Sequence, residues 1–300
     1  MNQGKHKSIV IGAALIALAS ATVSAGVLAA PVLYVTTDFS TNNGQFTSPQ
    51  TTGTATTKTS TSSLDDANFA TATADAGKGS VGIGMATNLG GATAVSASAG
   101  AQITDVWVPC PITVLCATTI DLAPVVYNMH FAGALSPAWL AANAIGGDHI
   151  DFGGSFHVAG EGDALEFAWD GTQLAGTFCN GGPTKPTCEP FAFASTTLAD
   201  GSLAFDDDVS FTGAVSGPGF TTVLALSADW DSTHQPSSLG FLHTFSFDIV
   251  SGDPSLGWVS DAGQVSKVSV SAVPEPETLP LVSLGLVLLA PLARRERRRR

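Results

Sequence analysis

The chain has 300 residues with 25 acidic against 12 basic side chains, a formal charge of −13 at pH 7. Six of those 12 basic residues are arginines in the last seven positions, so the rest of the chain is far more acidic than the total suggests. Such a surface repels nucleic-acid phosphates and anionic lipid, which excludes both as partners of the body.

The first predicted element is a secretory signal. A basic start (Lys5, Lys7) leads into an apolar run from Ile9 to Ala19 and then the small residues Val23 and Ala25. That order predicts entry into the Sec translocon and a cut after Ala25. Four lysines (Lys58, Lys78, Lys185, Lys267) then serve the whole segment 26–273. With Glu275, Glu277 and Glu296 set aside from the 25 acidic residues, 22 remain against these four, a formal charge of −18. A divalent cation or a neutral polysaccharide suits that surface.

A strand is expected from Val32, followed over 40–63 by a polar passage with the low-complexity core TTGTATTKTSTSS. Its composition reads as a solvated loop, with an edge of repetitive β structure as the alternative. A body domain is drawn over 64–272. Period-two alternation predicts strands at Phe69–Ala74, Ala92–Ser98, Gln102–Val108 and Pro124–Phe131. Between the first two, Gly77-Lys78-Gly79-Ser80-Val81-Gly82 matches the GxGxxG spacing of dinucleotide sites. The stretch VGIGMATNLGG, which begins at Val81, is too glycine-rich for the helix such a site needs, and the nucleotide reading is rejected.

One helix is expected, beginning at Ser136 as N-cap with Pro137 in the first turn and ending at Gly146-Gly147. Further strands are predicted at Ile150–Val158, Ala164–Trp169, Gln173–Phe178, Phe191–Thr197, Ser202–Phe205, Val209–Thr212, Thr221–Ala228, Phe241–Val250 and Gln264–Ser271. Turns rich in Gly, Pro, Asp and Ser separate them at roughly ten-residue spacing. The pattern is mainly β, an antiparallel β-sandwich of jelly-roll or immunoglobulin-like layout, with 16 Phe and five Trp to fill it.

The four cysteines form two close pairs, Cys110 with Cys116 and Cys179 with Cys188. In an exported chain these read as disulfides, paired locally because short loops close at least entropic cost.

Catalytic patterns are sparse. Neither GxSxG nor HExxH occurs, and Gly153-Gly154-Ser155-Phe156-His157 places its histidine in an alternating strand. Asp148-His149-Ile150-Asp151 offers metal-type side chains in a turn where solvation or capping is the plainer role. Glu161 and Glu166 are the pair a secreted glycosidase would use, if they faced one another across a cleft. Trp169, Trp230 and Trp258 suit either sugar stacking or the core. Asp206, Asp207 and Asp208, with Asp229 and Asp231, are the calcium candidates, set against charged turns. No catalytic residue, resident metal or other cofactor is assigned.

The chain ends in VPEPETLPLVSLGLVLLAPLARRERRRR. Pro274-Glu275-Pro276, after Val273, is stiff and cannot join a sheet. Leu279 to Ala293 is apolar and uncharged, but as a helix it reaches only about 22 Å, short of the ~30 Å hydrocarbon core. Arg294, Arg295, Arg297, Arg298, Arg299 and Arg300 mark a cytoplasmic end by the positive-inside rule. In order, spacing and terminal position these 28 residues, 273–300, resemble the PEP-CTERM sorting tail of Gram-negative envelope proteins, with Glu296 a small departure inside the basic cluster. The resemblance implies recognition by an exosortase, transient insertion of the C-terminal transmembrane helix in the inner membrane, removal of the tail, and transfer to the cell surface or the exopolysaccharide matrix. The expectation is therefore an exported matrix protein without catalytic activity. A carbohydrate-binding or adhesion module, calcium-dependent or not, and a secreted glycosidase are the alternatives.

Overall fold

A computed structural model of the chain describes residues 30–41, 44–65, 68–87, 95–111, 120–143, 149–159, 161–181, 187–232, 239–253 and 255–268. The signal segment 1–25, Cys116, Asp148 and the whole tail 273–300 lie outside the described residues. One compact unit closes at Val268.

The described strands are β1 (Val32–Thr41), β2 (Gly44–Gly53), β3 (Thr57–Asp65), β4 (Asn68–Asp75), β5 (Ser80–Thr87), β6 (Val95–Pro111) and β7 (Ile120–Leu135). After helix α1 (Pro137–Asn143) come β8 (His149–Ala159), β9 (Ala164–Trp169), β10 (Leu174–Asn180), β11 (Thr187–Ala192) and β12 (Ser195–Thr197). The chain continues with β13 (Leu203–Gly217), β14 (Phe220–Ser232), β15 (Leu239–Ser251), β16 (Leu256–Ser260) and β17 (Lys267–Val268). They make two sheets. One runs β11-β10-β9-β8-β14-β6-β1-β2 with β16 also on β6, the other β12-β13-β7-β15-β5-β4-β3 with β17 on β15. The pairings are antiparallel except the short β15–β17 contact. This is the mainly β, two-sheet architecture that the alternation predicts.

The core follows from period two. Odd-numbered residues of β6 (Val95, Ala97, Ala99, Ala101, Ile103, Trp107) and β7 (Val125, Tyr127, Met129, Phe131) are buried, as are even-numbered residues of β14 (Leu224, Leu226, Ala228, Trp230). Phe131 on β7 meets Phe152 of β8 at 5.9 Å and Phe167 of β9 at 5.5 Å, so aromatic rings bridge the two sheets. Where β4 packs across from β6, small residues fill the layer instead, with Ala70, Ala72 and Ala74 against the alanines of β6.

Helix α1 starts as its sequence dictates. The Ser136 hydroxyl accepts from the N–H of Trp139 at 3.2 Å, and Leu140 N–H bonds the Ser136 carbonyl at 3.0 Å. Trp139 is fully buried with its ring 5.5 Å from Trp169.

Several elements differ from the sequence expectations. The passage expected as a solvated loop supplies β2 and β3. It qualifies because Ser60 and Ser62 face inward and are buried, with the Ser60 hydroxyl 3.2 Å from that of Thr37. Small hydroxyl side chains thus occupy core positions that sequence reasoning reserves for larger apolar ones. The pairs of strands expected near 92–108 and 202–212 merge into the long strands β6 and β13. Asp206-Asp207-Asp208 therefore lies within a strand paired to β7 along its length, not in a turn. β16 went unanticipated, and of the strand expected at 264–271 only Lys267–Val268 forms within the described residues.

Candidate functional site

The GxGxxG-like stretch is a tight turn. Asp75 accepts from Lys78 N–H at 3.2 Å, a single 3-10 turn spans Ala76–Lys78, and Gly79 takes the left-handed conformation at φ +60 before β5 begins. A strand succeeds the glycines, where a nucleotide site would need a helix.

The sequence-predicted site residues scatter. Glu161 accepts from the N–H and hydroxyl of Ser216 at 3.1 and 3.3 Å. Glu166 points outward from β9, 3.5 Å from His157. Burial lowers the His157 pKa, and Glu166 partly opposes that. The two glutamates thus serve separate local contacts. Trp169, Trp230 and Trp258 are buried and belong to the core, not to an exposed sugar platform. Asp151 and Asp229 stand opposite each other on β8 and β14. The side chains of His149 and Asp231 lie outside the described residues.

Cys179 and Cys188 are bonded and occupy opposed positions on β10 and β11. Cys110 is disulfide-bonded as well, and Cys116, the partner expected for it, lies outside the described residues.

The acidic triplet divides by strand alternation. Asp207 turns toward the β11–β12 connection and accepts from Ala194 N–H at 2.7 Å. Asp206 and Asp208 project from the outer face, where both reach His130 of β7, at 3.7 and 3.0 Å. Among the described residues no three His, Cys, Asp or Glu side chains converge as a metal cluster.

What the register does build is a polar face on the second sheet. Ser210, Asn128 and Asp248 stand directly opposite one another on β13, β7 and β15. The Ser210 hydroxyl donates to Asn128 Oδ1 at 2.7 Å, and Asn128 Nδ2 donates to Asp248 at 2.9 Å. Lys267 closes the row on Asp248. Two rows along, Asp206, Ala132, Thr244, Gly82, Thr73 and Thr59 align across six strands. Beside them Thr61 and Thr71 bring their hydroxyls within 3.3 Å. Hydrogen-bonding donors and acceptors thus lie at strand spacing over a shallow surface, which is chemistry suited to hydroxyl-rich ligands. Sequence reasoning missed this face. Its signal, polar residues two apart (Asn128 and His130) or four apart (Thr244 and Asp248), is what any half-exposed strand carries.

Buried carboxylates form a second, interior feature. Burial raises the pKa of Asp105 and of Asp163. Burial and then the charge of Asp105 push Asp261 up to about 6. In comparison with known proteins, no family model matches this chain and no curated protein matches it at a significant level.

Proposed function

We propose that the chain is an exported surface or extracellular-matrix protein of the PEP-CTERM class. The Sec translocon carries it out, an exosortase removes its tail, and the body acts by association rather than catalysis. The observation that carries this reading is the terminal order Pro274-Glu275-Pro276, apolar run Leu279–Ala293, arginine cluster 294–300. A β body closed by disulfides supports it, because such bonds persist outside the cytoplasm. The finer expectation for the two sheets is a jelly-roll or immunoglobulin-like sandwich. Val273 to Pro276 carry recognition, the apolar run inserts transiently in the inner membrane, and the six arginines stop transfer.

The test is the intact mass of the protein from its host, with and without the exosortase. Loss of the residues after about Val273 only when the enzyme is present is the expected result. An intact tail in both cases, or unchanged processing of a Pro274→Ala, Glu275→Ala double variant, sinks the reading.

A second reading, a carbohydrate-binding module for exopolysaccharide, is favoured by the hydrogen-bonded row Ser210–Asn128–Asp248 and the threonine rows beside it. Saturable binding to the host's purified exopolysaccharide, weakened by Asn128→Ala with Thr73→Ala, is its expected signature. Equal binding by the variant overturns it.

A further inference from the structure

Asp105 occupies an inward-facing position of β6 between Ile103 and Trp107 and is 1% exposed. An aspartate at such a position needs a compensating group, since an isolated carboxylate is strongly disfavoured away from water. Part of the compensation is local. Oδ1 accepts from the N–H of Val106 at 3.0 Å and of Ala262 at 3.3 Å. Oδ2 is buried and has no hydrogen-bond partner.

The turn that caps Asp105 brings a second carboxylate. Asp261 follows β16, and its N–H bonds the Val106 carbonyl at 2.9 Å, which holds it beside β6. The turn is tight. Gly263 N–H bonds the Ser260 carbonyl at 2.9 Å, Gln264 N–H bonds the Ser260 hydroxyl at 3.1 Å, and Gly263 has φ +83. Both carboxylate oxygens of Asp261 are also buried and without a hydrogen-bond partner.

Three shielded carboxylate oxygens thus flank the contact between the turn and β6, and the two groups are near enough for the charge of Asp105 to act on Asp261. The basic side chains that the structure describes lie elsewhere: Lys78 pairs with Asp75 and Lys267 with Asp248, Lys58 lies against Gly53, His130 contacts Asp206 and Asp208, and His157 contacts Glu166. Two carboxylates match the charge of one divalent ion, and an all-oxygen donor set with no nitrogen or sulfur suits calcium. Ser260, 1% exposed and close enough to influence Asp105, adds a hydroxyl, and main-chain carbonyls and water would complete the shell.

We propose that Asp105 and Asp261 hold one calcium ion that fastens the segment Leu256–Val268 onto β6. This site is separate from the aspartates on the outer face. It is independent of the sorting reading.

The test uses the full chain stripped with EGTA at pH 7.5 and titrated with calcium chloride, read by thermal unfolding and by calorimetric stoichiometry. Binding of one ion per chain is expected, with Tm rising by about 5 °C at saturating calcium. Asp261→Asn, at a partly exposed turn position, is expected to fold and to lose the shift. A double variant Asp206→Asn, Asp208→Asn is expected to keep it. No calcium shift in the wild type overturns the site, as does a shift retained in Asp261→Asn or one abolished by the outer-face double variant. Stabilisation by acid alone, present in the wild type and missing in Asp261→Asn, assigns the pair a shared proton instead and also overturns it.

Discussion

The carboxylate of Asp163 lies directly against Gly213, so that a Cβ at position 213 would come within 1.9 Å of Oδ2 and 2.7 Å of the Tyr127 ring. Asp163 cannot retreat freely, because its Oδ1 accepts from Gly181 N–H at 2.8 Å and the side chain is 1% exposed. Gly213→Ala is therefore expected to destabilise the fold by about 3 kcal/mol, the range of overpacking with a disturbed buried carboxylate. Urea unfolding of the variant measures it. A change within about 0.5 kcal/mol, the range of an ordinary surface substitution, contradicts the contact.

The same carboxylate sets a pH dependence. Burial raises the Asp163 pKa, and the nearby Glu161 charge adds to this, while the bond from Gly181 N–H acts the other way. A group that binds its proton more tightly in the folded state contributes stability below its unfolded pKa and loses it as pH climbs through the folded value. Wild-type stability should thus fall relative to Asp163→Asn as pH rises from about 4, the ordinary aspartate value, toward neutrality. The difference between the two unfolding curves is the measurement, since Asp105 and Asp261 titrate in both. A difference that stays flat with pH removes Asp163 as the cause.

The alternation that locates β6, β7 and β14 was legible because large apolar residues mark one face and polar ones the other. It failed at β2 and β3, where the inward positions of β3 carry Ser60 and Ser62, packed toward Thr37 of β1, so no apolar period exists to read. It failed differently at Asp206-Asp207-Asp208. Three charges in a row suggest a turn, yet in β13 two of them reach solvent beside His130 and the third satisfies the Ala194 N–H. Of the polar face, Asp206 and Asp208 stood out as calcium candidates, but the rows did not, because their order comes from the register of six strands. The buried Asp105 likewise looks like any aspartate until Trp107 and Ile103 are known to face inward with it.

The disulfide Cys179–Cys188 ties the edge strand β11 to β10 across a sequence separation of nine. Closing so short a loop in the unfolded chain corresponds to about 2–3 kcal/mol. β11 is itself mostly exposed, with little core contact to hold it when the bond is absent. Cys179→Ala with Cys188→Ala should lower the urea midpoint accordingly, and amide exchange should rise first in 187–192. Uniform exchange across the first sheet would show instead that β11 is not an independent edge.

Neighbouring residues on β7 should differ sharply. Phe131 is fully buried and packs against Phe152, Phe167, Phe193 and Phe205, with ring centroids 5.1 to 5.9 Å away. Phe131→Ala opens a cavity where both sheets meet and is expected to cost about 4 kcal/mol. His130, one position earlier, points outward to Asp206 and Asp208, and surface pairs of this kind contribute about 1 kcal/mol or less. His130→Ala should therefore leave stability nearly unchanged while altering any ligand binding on that face. If the histidine variant proves as destabilised as the phenylalanine one, the register of β7 is shifted by one residue, and the polar face of the second sheet is turned inward.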